Sequence, residues 1–212
     1  MMIPLGVVSA QQGVPQWTLL LDMRFNNNFD DSAGRHTPVN YGATTSSAQS
    51  VEGGYSLYTN QDGRVFSDGY NTDSVEFDFS AKDFRISCDI MPTAIGNDYV
   101  WMKSVSFNGF GITLKLGMSG PDVVAYLRGV GNTDMNLGVI IPEATTTWNN
   151  LMVERIGSTW NLYLNEALVD TAVWDEVAQP TSGVGLNGFL IAGGANDNRY
   201  SGYIDNFKVY SR

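Results

Sequence analysis

The chain has 212 residues, with 22 acidic side chains against 12 basic ones, a formal net charge of -10 and a pI near 4.3. That balance leaves no basic stripe for a nucleic-acid backbone, and no stretch is long and apolar enough to span a bilayer, so neither nucleic acid nor membrane insertion is expected. A single cysteine, Cys88, excludes an internal disulfide.

Residues 1–16, MMIPLGVVSAQQGVPQ, read as an extended N-terminal arm. Val8-Ser9-Ala10 looks like a signal-peptide cleavage site, but the segment lacks a positive start and Pro4 and Gly6 break its apolar run. Pro4, Gly6, Gly13 and Pro15 disfavour regular structure while Ile3, Leu5, Val7 and Val8 want covering, which points to docking on a partner, with a disordered leader or a strand of the same domain as the alternatives. Residues 17–212 are read as one domain. The 23 Gly and the short apolar runs predict many strands joined by turns.

Leu19, Leu21, Met23 and Phe25 share a face and predict a first strand that ends at Asn26-Asn27-Asn28, after which FDDSAGR turns the chain. Thr37 to Ala43 and Tyr55 to Thr59 read as short strands and Val65-Phe66 as a brief return. Val75 to Phe79 reads as strand before the loop Ser80 to Asp83. The central strand then alternates Phe84, Ile86, Cys88 and Ile90, with Cys88 as a small buried hydrophobe, and stops at Pro92. Val100 to Phe107 and Phe110 to Leu116 flank a hairpin turn at Asn108-Gly109, and Val123 to Leu127 and Leu137 to Ile141 continue the sheet.

Trp148 to Thr171 reads as a meander. Leu151 and Val153 line one strand, Arg155 to Thr159 reverse the chain, Trp160, Leu162 and Leu164 line the next, and Asn165-Glu166 turns into Ala167-Leu168-Val169, whose apolar face needs cover. Asp175 to Gly185 is a connection, Phe189 to Ala192 a strand, Gly193 to Arg199 a polar loop, and Tyr203 to Tyr210 the closing strand.

The run of Trp148, an apolar strand ending in Arg155, a Gly turn and then WNLYLN resembles the hairpin core of laminin-G-like domains of the concanavalin A-like lectin and glucanase group. FRISCDIMP (84–92), GYIDNFKVYSR (202–212) and LLLDMRFNNNFDDSAG (19–34) resemble the same family in the same order. The resemblance implies an all-β antiparallel sandwich of jelly-roll type. It also implies a calcium site shared by Asp30 or Asp31 of the acidic turn and Asp205 of the closing strand. Strand parity puts Asp205 with Tyr203, Phe207 and Val209 unless the strand bulges, and a buried carboxylate there needs either a cation or several donors. The alternative to calcium is that Asp205 accepts backbone amides of the first turn. Where the family has Asn-Gly, this chain has Asn165-Glu166, so the turn is expected to be longer or of another type.

The opening Met-Ile-Pro-Leu-Gly-Val is similar to that of virion structural proteins of tailed bacteriophages, which implies a virion location, other capsid or tail proteins as partners, and a homo-oligomer or symmetric array. Glucanases of this fold use a Glu-x-Asp-x-Glu strand, which Glu76-Phe77-Asp78 begins and Ser80 fails to finish. Glu76 and Asp78 are therefore read as the polar face of an ordinary strand, and His36 as a solvated loop histidine. For a glycan the expected ligands are Asn196, Asn198, Arg199 and Tyr200 of the polar loop with Asp98, Tyr99 and Trp101 beside them, since polar groups orient hydroxyls and rings stack on sugar faces; the alternative is that Asn, Asp and Gly serve there only as turn formers, with no ligand. The sequence thus reads as a non-enzymatic adhesion module that decorates a capsid or belongs to a tail and holds host-surface glycan, with a glycoside hydrolase or a free secreted lectin as the alternatives.

Overall fold

Period-two alternation of apolar residues recurs along the strands, and most of the apolar rows meet in one core between two sheets. The structure, a computed structural model, describes residues 15–60, 63–68, 75–79, 82–96, 98–106, 110–119, 122–129, 136–141, 146–174, 188–193 and 200–212. The N-terminal arm up to residue 14, the Asn108-Gly109 turn and the expected loops and connection at 130–135, 175–187 and 194–199 lie outside the described residues.

The strands are β1 (Thr18–Met23), β2 (Val39–Tyr41), β3 (Thr44–Ser46), β4 (Ser56–Asn60) and β5 (Arg64–Phe66), then β6 (Phe84–Pro92), β7 (Asp98–Ser106), β8 (Phe110–Ser119) and β9 (Asp122–Gly129). They continue as β10 (Asn136–Ile141), β11 (Asn149–Ile156), β12 (Thr159–Leu164), β13 (Ala167–Val173), β14 (Phe189–Ile191) and β15 (Ser201–Ser211). One sheet, A, has the order β13-β12-β11-β6-β15-β4-β3, with β1 pairing the part of β15 that β4 leaves free. The other, B, has the order β10-β9-β8-β7-β14-β5-β2. All named strand pairs are antiparallel, so the molecule is an all-β sandwich as expected.

Aromatic rings lock the two sheets. Phe189 of β14 lies 5.5 Å from Phe207 of β15 and 6.0 Å from Trp101 of β7, and Trp160 of the meander meets Phe84 edge-on at 5.2 Å. All five are fully or almost fully buried, and such ring pairs add about 1 kcal/mol each beyond the area they remove from water.

Four expectations need correction. The predicted strand Thr37 to Ala43 is in fact a crossing between sheets: β2 pairs with β5 in sheet B, β3 pairs with β4 in sheet A, and Asn40 bridges the step by bonding both N and O of Ala43 at 2.9 and 2.8 Å. Val75–Phe77 is a 3-10 turn rather than part of a strand, and Phe77 and Phe79 both reach the core from it and from the residues that follow. Asn165 and Glu166 both have positive φ, 50° and 69°, so the turn is a two-residue primed turn despite the glutamate. The Asn165 side chain ties it down by accepting from Asn150 N at 2.8 Å and donating to Asn149 Oδ1 at 3.3 Å. Finally, β13 is the edge of sheet A and keeps Leu168, Val169 and Val173 exposed rather than covered.

Candidate functional site

The acidic turn is built around Asp31. Its Oδ1 accepts from Asp22 N and Ala33 N, both at 2.9 Å, and its Oδ2 accepts from Arg35 N at 2.9 Å and His36 N at 3.0 Å. Four backbone donors fill the roughly four lone-pair sites of a carboxylate, which leaves nothing to offer a cation. Asp30 faces solvent. Asp205 is also served by amides, but from a different turn: Oδ2 accepts from Val51 N at 2.9 Å and Glu52 N at 3.2 Å, and Oδ1 from Asn206 N at 2.9 Å. The strand does bulge there, with the register shifting between Asp205 and Lys208 and Asn206 at φ 49°, so Asp205 sits on the opposite side from Phe207. Burial raises its pKa above the ordinary carboxylate value. Asp30, Asp31 and Asp205 as placed therefore do not fit a shared calcium ion. Among the described residues no group of three or more His, Cys, Asp or Glu is arranged to hold a metal.

His36 is not a solvated loop residue. Its side chain is 4% exposed, its ring stacks on Phe77 at 4.4 Å, and Nδ1 lies 2.9 Å from Asp68 Oδ2 while Nε2 lies 3.5 Å from Glu76 Oε2. Glu76 also pairs with Arg35 Nη1 at 3.2 Å. Glu76 and Asp78 belong to the 3-10 turn and its exit, so they do not share a strand face in the way glucanase acids do.

Of the expected glycan residues, Asn196, Asn198 and Arg199 lie outside the described residues. Trp101 and Tyr200 are fully buried, the first against Phe189 and the second donating its hydroxyl to Tyr203 O at 3.0 Å, so neither ring can meet a sugar. Asp98 is 4% exposed and accepts from Gly96 N at 2.8 Å, and burial raises its pKa. Among the described members of this set, Tyr99 alone reaches the outer face of sheet B, half-buried, with Lys115 Nζ 4.0 Å from its ring centre.

That outer face carries residues the sequence reading did not single out. Val65 points inward between Arg64 and Phe66, so those two project outward from β5, and Tyr41 of the neighbouring β2 meets Phe66 edge-on at 5.2 Å. Phe66 packs with Leu190 of β14, both 4% exposed, and Tyr99 of β7 packs against that pair, giving an apolar row across four adjacent strands with tyrosines at its two ends. The Arg64 guanidinium lies 6.0 Å from the Tyr41 ring centre and 5.6 Å from that of Phe66. Tyr41 is 42% exposed. Local alternation shows that Arg64 and Phe66 share a face, but their adjacency to Tyr41 and Tyr99 depends on strand order.

The outer face of sheet A differs. Glu154, nearly buried, accepts from Arg85 Nε, from Asn161 Nδ2 at 3.3 Å and from Tyr163 OH at 3.2 Å. Burial, and then the Glu154 charge, push the Tyr163 phenol up. Asp89 accepts from Asn150 and Asn206 side chains at 2.7 and 2.9 Å, and Trp17 lies between the guanidiniums of Arg85 and Arg212 at 4.3 and 4.5 Å. The polar groups named there are spent on one another.

No protein-family model and no curated protein sequence matches the chain. Solved structures do resemble it. Domain 4 of AbnA, a GH43 extracellular arabinanase from Geobacillus stearothermophilus, in complex with arabinotriose, superposes with a TM-score of 0.65 at 13% identity over 92% of this chain and 93% of that one. The binding domain of botulinum neurotoxin DC in complex with SialylT gives 0.65 at 14% identity over 91% of this chain and 47% of that one. The same binding domain with rat synaptotagmin II gives 0.60 at 14% identity, covering 91% and 48%. This chain therefore spans about half the length of the neurotoxin binding domains it matches. At these identities the likeness shows a common β-sandwich fold.

Proposed function

We propose that the chain is a non-enzymatic carbohydrate-binding sandwich used for adhesion, with the outer face of sheet B as its glycan surface. The observation that carries this reading is the outer face on which the Tyr41 ring, 42% exposed, and the half-buried Tyr99 ring stand on either side of the buried Phe66, beside Arg64 and Lys115 as hydrogen-bond donors. Neighbours solved with arabinotriose and with SialylT support a sugar as the class of ligand. Placement on a virion, among other capsid or tail proteins, rests on the resemblance of the opening segment. Finding the intact chain by mass spectrometry in purified particles supports it, and absence from particles removes it.

The glycan reading is tested by binding to a broad oligosaccharide panel, comparing the native chain with Tyr41→Ala and Tyr99→Ala. Binding lost or weakened in both variants is the expected result. Unaltered binding in the double variant refutes the assigned surface. Depolymerisation of any bound polysaccharide that disappears in Glu76→Gln and Asp78→Asn refutes the non-enzymatic part.

A further inference from the structure

Most described arginines face an acid or a carbonyl. Arg24 meets Asp22 at 2.8 Å, Arg35 meets Glu76 at 3.2 Å, Arg212 meets Asp83 at 3.1 Å, Arg85 meets Glu154, and Arg155 donates to Phe79 O at 3.0 Å. In a chain with 22 acids and 12 bases, carboxylates are available to most cations. Arg64 and Lys115 are arranged otherwise. Each is held against aromatic rings, on the same outer face, and neither makes an ion pair with a described residue.

The rings orient these cations without neutralising them. A cation over a ring face keeps its N–H donors free at the far side, and a guanidinium so held retains the fork that matches a carboxylate. With Lys115 Nζ only 4.0 Å from its centre, Tyr99 presents an ammonium to a ligand rather than a bare ring face. Arg64 on β5 and Lys115 on β8 are separated by β14 and β7, so their backbones stand about 14 Å apart at the usual strand spacing. One small anion cannot bridge that gap, but a chain of sugars bearing acid groups can reach both. Gly193 adds to the arrangement, because a Cβ there would come 3.2 Å from Arg64 Cβ and crowd the arginine stem.

From this placement we infer that the outer face of sheet B selects an anionic glycan, a sugar chain bearing carboxylates, which Arg64 and Lys115 grip at two separate points along its length. The inference rests on the glycan-binding reading above and names the class of sugar that surface takes.

The test compares four probes by calorimetric titration of the whole chain: tetragalacturonate, its methyl ester, neutral tetragalactose, and a sulfated galactose tetramer. Esterification removes the charge and keeps the sugar, so the acid-to-ester ratio reads the inference on the unmutated protein. The acid is expected to bind about tenfold or more tightly than the ester, and the ratio to fall to about one in R64Q/K115Q. Lys208→Gln, on β15 in sheet A, is expected to leave the ratio alone. Equal binding of acid and ester overturns anion selection while leaving glycan binding in place, as does a ratio that survives R64Q/K115Q. If the sulfated tetramer alone beats its neutral parent, the carboxylate assignment is overturned and the cation pair reads sulfate. Binding of none of the four, together with none on the broad panel, overturns the glycan reading itself.

Discussion

Asp31→Asn tests the view that the acidic turn is held by hydrogen bonds to a carboxylate rather than by a cation. The carboxylate collects four backbone N–H groups, and an amide retains one oxygen, so two donors come to face an –NH₂ group. The Asp22 N–H is the buried one of the four, which fixes the remaining oxygen toward it and leaves Arg35 N and His36 N unserved. Two lost bonds to a charged acceptor, at about 1.5 kcal/mol each, come to about 3 kcal/mol. For a domain of this size that is a fall in Tm of roughly 6–12 °C. Urea unfolding followed by tryptophan fluorescence is expected to show a lower midpoint with an unchanged m-value, since the surface exposed on unfolding stays the same. Added millimolar calcium is expected to leave the wild-type midpoint where it stands with chelator. Two results refute the reasoning: a variant within about 0.5 kcal/mol of wild type, or a calcium-dependent rise in midpoint that wild type shows and Asp31→Asn does not.

Glu166→Gly places the residue suited to φ 69° in the meander turn and is expected to stabilise by about 1 kcal/mol, with the midpoint of thermal unfolding as readout; a loss of stability contradicts the turn geometry. Gly202 has φ 143°, and a Cβ there would lie 2.5 Å from Met91 O and 2.6 Å from Pro92 Cα, so Gly202→Ala is expected to cost about 2 kcal/mol or more, and an unchanged urea midpoint counts against the β15 and β6 register. Cys88 is fully buried and burial pushes its thiol far up, so an aromatic disulfide reagent is expected to label it only as fast as the chain unfolds; stoichiometric labelling in native buffer rules this out. Burial raises Asp98 above 3.8 in the fold, so between the unfolded and folded pKa the native state binds more protons than the unfolded one and stability falls as pH rises through that window. Asp98→Asn is expected to flatten that part of the curve of urea midpoint against pH, and a slope as steep as wild type contradicts it.

The sequence carried the strands wherever alternation was local. Leu21 and Met23, Phe84 to Ile90, and Leu151, Val153, Trp160 and Leu162 all show it, and each of those apolar residues is buried. Legibility failed where one residue broke parity or where distant strands met. Parity aligned Asp205 with Phe207, and only the bulge at Asn206, one of the few non-glycine types that tolerate left-handed backbone, reversed it. Glu76-Phe77-Asp78 alternates like a strand, but the core takes Phe77 and Phe79 from a tight turn. Trp101, in a predicted strand, and Tyr200, in the polar loop, were expected beside a sugar, because residue type alone does not say which side of a strand end faces the core. Tyr41 and Lys115 were invisible as partners of one surface, since β2 and β8 come together only through β5, β14 and β7.

The two outer faces differ in a way that favours sheet B over sheet A for the proposed ligand surface, although both alternate in the same way. On sheet A each acid named is matched on an adjacent strand: Glu154 on β11 to Arg85 on β6, Asp89 on β6 to Asn150 on β11 and Asn206 on β15. A ligand arriving there must break partially buried contacts whose surviving partner would be left unsatisfied, at about 1–3 kcal/mol each. On sheet B, Arg64 and Lys115 lie against rings rather than acids of the described residues, so the proposed ligand would break no ion pair of theirs with those residues. Among the described residues, the polar groups named on sheet A are thus taken up by cross-strand pairs, while Arg64 and Lys115 on sheet B meet rings and no acid.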